Sequence, residues 1–235
     1  MANAAHLWEH SRCSEPQRMR QLSLIVVAVT LCLTCGAQTG GLETIGPPTD
    51  LGVPNAVVQV LESHGNRLKV ADGSVLCDIW LRKSVPTQTA KKESEGLLYP
   101  EFSESTLIGV ILFPKTATDF RGQPIAAGTY SLRYELMPDD GNHLGVAPDR
   151  DFLLLVPAAL DSDPGALYKF DELVQMSRKA SGTNHPGPLS LAQASGSATS
   201  LTKSAEDHWI FSSMLKLDSG KDLPFALVVK GTAAQ

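Results

Sequence analysis

The sequence predicts a mainly β protein: a two-sheet antiparallel β-sandwich with one inserted helix, preceded by an N-terminal signal segment. Three observations carry that expectation. Short apolar runs recur between turn-forming residues along most of the chain. One of them, Gly128–Leu136, sets Tyr130, Leu132, Tyr134 and Leu136 on one side and Thr129, Ser131, Arg133 and Glu135 on the other. A period of two this regular describes an antiparallel strand with one face buried. Finally, 19 Gly and 15 Pro in 235 residues slightly exceed the roughly 12% average, which favours turn-rich folds over helical bundles. The length suits one domain of ordinary size, or at most two small ones.

Residues 22–33 (LSLIVVAVTLCL) form an apolar run, Arg18 and Arg20 precede them, and Cys35, Gly36 and Ala37 follow. A basic flank, a short apolar core and a small-x-small end describe a secretory signal peptide. Cleavage is expected between Ala37 and Gln38. Met19 reads as the true start, because the mixed stretch before Arg18 is long for a basic region. Two alternatives stay open: an uncleaved anchor, although the run falls short of the roughly 20 residues that span a bilayer, and lipid attachment at Cys35. Removing residues 1–37 takes Cys13, Cys32 and Cys35 with it and leaves Cys77 alone, so no disulfide framework is expected.

Residues 38–54, rich in Gly and Pro, read as a flexible lead-in, and 55–235 as the sandwich domain. Residues 56–61 and 67–70 suggest a hairpin about Ser63-His64-Gly65-Asn66. The stretch 74–81 places Val75, Cys77, Ile79 and Leu81 on one face and Trp80 on the other, where Trp80 needs cover. The apolar run Leu107–Phe113 fits a central strand covered on both sides. Residues 152–156, 209–217 and 225–229 add further strands. Asp163 and Pro164 suit a helix start and Gly182 a C-cap, predicting a helix over 164–180. The Ser- and Gly-rich stretch 181–200 reads as a mobile loop, and 83–95 as a solvated one.

The segment Gly122-Gln123-Pro124-Ile125-Ala126-Ala127-Gly128-Thr129-Tyr130-Ser131-Leu132 resembles a hairpin of uncharacterised secreted bacterial β-sandwich proteins that read G-x-x-(L/I)-x-A-G-T-Y-x-L. The resemblance implies a turn at the glycine, a core position for Tyr130 and Leu132, and flanking strands at Leu107–Phe113 and 152–156. It covers about a third of the mature chain and lends no chemistry. Where such relatives carry a Trp-Arg-x-Gly-x-Asn-like segment, this chain has Leu97-Leu98-Tyr99-Pro100-Glu101-Phe102.

Composition and motifs narrow the function. A net charge of −5 gives no electrostatic reason to seek nucleic acid, and membrane contact is expected only through an uncleaved N-terminal segment. There is no G-x-S-x-G elbow and no phosphate-cradling glycine loop. Cys77 shares its strand phase with Val75 and Ile79 and reads as a core residue. His64, His143, His185 and His208 sit beside turn residues without metal-ligand spacing and read as solvated loop histidines. Asp161 and Asp163 read as helix-capping residues. The densest polar cluster, Asp139, Asp140, Asn142 and His143 with Asp149 and Asp151, reads first as a turn. Its oxygens make a weak calcium candidate (Asp139, Asp140, Asn142, Asp149, Asp151). Trp80, Trp209 and Tyr99 read as core, with a sugar-stacking platform as the alternative.

The sequence therefore predicts a secreted or periplasmic, non-catalytic protein with a binding or structural role, no cofactor, and an unidentified protein or glycan as partner. Two alternatives accompany it. One is a hydrolase-type or metal-dependent enzyme with a loop-assembled site around Asp139, Asp140 and His143. The other is the same domain tethered by an uncleaved N-terminal helix.

Overall fold

The computed structural model describes residues 39–88, 96–138 and 149–232. In chain order the elements are β1 (Gly41–Ile45), α1 (Asn55–Val60), β2 (Gly65–Lys69), β3 (Val75–Leu81), β4 (Leu107–Phe113), β5 (Ala117–Thr118) and β6 (Pro124–Ile125). Then follow β7 (Gly128–Leu136), β8 (Asp151–Pro157), α2 (Phe170–Ser181), β9 (Pro188–Ala192), β10 (Ser200–Lys203), β11 (Trp209–Lys216) and β12 (Asp222–Lys230). The protein is mainly β and antiparallel, as the alternation predicts.

The arrangement of the strands differs from two separate sheets. Ten of them form one sheet in the order β1-β2-β3-β4-β7-β8-β9-β12-β11-β10, and β5 pairs only with β6. The two ends of that order meet, since Thr39 bridges Thr202 and the Gly40 amide donates to the Leu201 carbonyl at 2.8 Å. The sheet is thus nearly closed into a barrel, which covers its edges. The joint is β9, whose Pro188, Leu189 and Ser190 pair with β8 while Leu191 and Ala192 pair with β12. Residues 181–200, expected as one mobile loop, thus contain the strand that joins the two halves. Residues 38–54, expected as a flexible lead-in, contain β1.

Strand alternation fills the barrel. Leu68, Cys77, Ile79, Ile111, Leu132, Tyr134, Leu153, Leu155, Leu191, Phe211, Phe225 and Leu227 are buried in one cluster. Tyr99, Phe102 and Tyr134 extend it, with Phe102 meeting Tyr134 edge-on at 5.4 Å. Cys77 lies fully buried among these residues, as its strand phase predicts. Tyr130 and Leu132 are also core residues.

Two patches on the outer face are covered as well. Of residues 56–61, expected as a strand, 56–60 instead lie in α1 after Pro54, a residue compatible with a helix start, and Leu61 is its extended C-cap residue. Val57 and Leu61 then pack with Trp80, Leu107 and Val110 of β3 and β4. Trp80 finds there the cover it needs, and its indole N–H donates to the Gly46 carbonyl at 2.7 Å. On the other patch Leu173 of α2 packs with Phe152, Leu154 and Val156 of β8. The outward face of β7 is buried too, Arg133 and Glu135 included, so this strand is covered on both faces rather than half-buried.

The helix starts at Phe170, later than Pro164. The cause is Arg133, whose guanidinium takes the backbone carbonyls of Asp163 (2.7 Å) and Ala166 (3.0 Å) and holds that stretch as a loop. Asp163 accordingly serves a turn, accepting from the Gly165 amide at 2.8 Å. The end agrees with expectation, because Gly182 adopts the left-handed conformation at φ 66 that favours glycine at a C-cap.

Candidate functional site

Asp139, Asp140, Asn142 and His143 lie outside the described residues, as do Ala37 and Gln38. Of the remaining calcium candidates, Asp151 is buried and committed to structure. Its Oδ2 accepts from the Tyr99 amide at 2.8 Å and from the Tyr134 hydroxyl at 3.3 Å, and its Oδ1 from the Leu98 amide at 3.3 Å. Asp149 is half-buried, and burial together with the Asp151 charge raises its pKa. Among the described residues no three His, Cys, Asp or Glu side chains come together as a metal site.

The histidines divide. His64 and His185 are exposed, whereas His208, expected in solvent, is buried against the Phe120 ring with centroids 4.4 Å apart. Trp80, Trp209 and Tyr99 are all buried, so they form no exposed platform for a sugar. The Tyr99 hydroxyl donates to the Ala192 carbonyl and accepts from the Ala226 amide, tying β9 to β12.

Asp161, expected as a helix cap, is a fully buried partner of Arg133. Nε and Nη2 of Arg133 donate to its two carboxylate oxygens at 2.8 and 2.6 Å, and Nη1 donates to the Ser105 carbonyl at 2.7 Å. Every edge of the guanidinium is occupied, and the Tyr168 ring lies 5.1 Å from its centre. Two places further along β7, Glu135 is buried, with Oε2 lacking a hydrogen-bond partner among the described residues. Burial, reinforced by the adjacent Glu104 carboxylate, pushes its pKa up to about 8.

A cleft of about 450 Å³ opens between α2, the turn joining β5 to β6, and the outer ends of β8 and β9. Three local structures build its walls. The first is α2, started by Glu172, whose carboxylate accepts from the Lys169 amide at 3.0 Å. With Leu173 and Ala180 buried, Phe170, Val174 and Arg178 are left to face the cleft.

The second wall is residues 184–188, folded back on the helix. The Gly187 amide donates to Ser177 Oγ at 2.9 Å, and the His185 amide donates to Thr183 Oγ1 at 3.0 Å. These bonds bring His185 to the rim.

The third wall is the 119–123 turn. Asp119 is buried, and its Oδ1 accepts from the Arg121 and Gln123 amides at 2.9 and 2.8 Å. Burial raises the Asp119 pKa against the opposing pull of those amides and of the Arg121 charge. The turn is fastened to the barrel at Gly231, whose amide donates to the Thr118 carbonyl at 3.2 Å while Thr118 Oγ1 donates to the Gly231 carbonyl at 2.7 Å.

The cleft thus has an apolar floor of Met137, Phe152, Phe170 and Val174, and a rim carrying Arg121, Arg178 and His185. Asp119 is the one carboxylate that lines it among the described residues. Such an arrangement can bury an apolar body and orient a polar head. Its rim residues come from three separate segments, so no sequence motif announces them. No protein-family model matches the chain, and no curated protein or solved structure is significantly similar to it.

Proposed function

We propose that this chain is an exported, non-catalytic binding protein, secreted or periplasmic, whose ligand sits in the cleft beside α2. The observation that supports the reading is the composition of that cleft, an apolar floor under a polar rim in the size range of small-molecule sites, roughly 300–1,000 Å³. Two buried polar groups elsewhere have structural work instead, Arg133 holding a loop on the outer face and Asp151 the 98–99 backbone. Export rests on the apolar run 22–33 with its basic flank and the small residues that end at Ala37.

Thermal unfolding across a panel of small metabolites tests the binding reading. A ligand at 100 times its Kd stabilises the native state by about 2.7 kcal/mol, which raises Tm by several degrees in a domain of this size. The expected result is a stabilising ligand whose effect disappears in Val174→Trp, which fills the cleft. A panel without any stabilising ligand, an equal effect in the variant, or chemical turnover of the ligand would overturn it. The mass of the protein recovered outside the cytoplasm tests export, with Gln38 expected as its first residue.

A further inference from the structure

We propose that the cleft takes a small amphipathic carboxylate, with its alkyl or aromatic body on the Phe152–Phe170–Val174 floor and its carboxylate at the rim between Arg121, Arg178 and His185. The inference rests on reading the cleft as the binding site and adds the chemistry of its ligand.

Charge complementarity is the first argument. The chain as a whole carries a net charge of −5, yet this rim gathers two guanidinium groups and an imidazole. Among the described residues the single carboxylate lining it, Asp119, is buried, and its Oδ1 is already occupied by two backbone amides. Burial also disfavours its charged form. Among the described residues this rim therefore carries more basic than acidic groups, on an acidic molecule.

Shape is the second argument. A guanidinium offers two parallel N–H groups that match a planar carboxylate, so two guanidinium groups at the rim of one cleft suit such a head group. Arg121 stands on the β5–β6 turn and Arg178 on the last turn of α2, so each wall supplies one. The floor beneath them is half-buried apolar surface, with Phe170, Val174 and Met137 all partly accessible. A purely polar anion leaves that surface wet, and a purely apolar ligand leaves the rim charges without a partner.

The test compares isosteres by titration calorimetry on the purified protein: 2-naphthoate against neutral 2-naphthamide, with decanoate against decanamide as a flexible pair and 2-naphthyl phosphate as a competing anion. Because the rim charges are exposed and screened, the expected preference for carboxylate over amide is about tenfold and shrinks with added salt. Arg121→Gln and Arg178→Gln are expected to reduce that preference towards unity, by weakening carboxylate binding more than amide binding. Equal affinity for carboxylate and amide overturns the anion assignment and leaves the cleft reading standing. Binding of the phosphate without the carboxylate overturns it as well. If neither member of either pair binds, the cleft reading fails and this assignment with it.

Discussion

Arg133 and Asp161 form a two-bond ion pair from which solvent is excluded at both ends, at 2.6 and 2.8 Å. The pair fixes the loop between β8 and α2 onto the outer face of β7. It thereby determines where α2 starts and so where Phe170 and Val174 stand in the cleft. Removing one partner of a buried pair strands the other charge, at about 3–5 kcal/mol. Arg133→Ala and Asp161→Ala are each expected to lose that much in urea unfolding. The double variant Arg133→Met with Asp161→Leu is expected to lose less than either, since it leaves no uncompensated charge. A single-variant loss below about 1 kcal/mol, the range of exposed pairs, would contradict this account.

Glu135 gives the fold a definite pH dependence. Its folded pKa of about 8 lies above the usual 4.5, for burial first and the neighbouring Glu104 second. A carboxyl raised in this way supports the native state fully below its unfolded pKa, and that contribution is lost as pH rises through the folded one. Between about pH 5 and about pH 9, Tm should fall more steeply in the parent protein than in Glu135→Gln, which stays neutral. Parallel curves would show that the folded state does not raise the Glu135 pKa above its unfolded value.

Cys77 is sealed in the barrel, fully buried, and burial drives its thiol pKa well up. Since the thiolate is the reactive form, labelling by a maleimide should proceed only in denaturant. Stoichiometric labelling of the native protein within minutes would place Cys77 outside the core.

Gly231 has no room for a side chain, since a Cβ there would collide with the Asp119 carbonyl and the Phe120 backbone. Gly231→Ala must therefore push the 119–123 turn away from the barrel and open one wall of the cleft. The expected outcome is weakened ligand binding together with a loss of stability of about 1–3 kcal/mol, as for other overpacked sites. Unchanged affinity in a folded variant would detach that turn from the binding site.

The strand interiors were legible because period-two alternation depends only on local sequence. The positions of Tyr130, Leu132, Cys77, Ile79 and Trp80 all followed from it. Sequence read alone failed where a distant residue overrode the local signal. Asp163-Pro164 is a sound helix start, yet a guanidinium 30 positions earlier in the chain claims the Asp163 carbonyl. Residues 56–61 include the β-branched Val57, Val58 and Val60, yet as a short helix ending beside Leu61 they cap Trp80. Strand β9 was hidden in a stretch of small polar residues because its pairing is supplied by β8 and β12. For the same reason the cleft had no sequence signature, with Arg121, Arg178 and His185 converging only through tertiary structure. The acidic stretch that the sequence singled out, Asp139 to His143, lies outside the described residues, and its partner Asp151 is a structural anchor.

The central claim, that ligand binds outside the barrel beside α2, is tested most directly by amide chemical-shift mapping during titration with 2-naphthoate. The account predicts that the largest shifts gather on residues 119–123, on Val174 and Arg178, and on 184–190. Shifts centred on inward-facing strand residues such as Leu132 and Leu191, or spread evenly over the sheet, would contradict it.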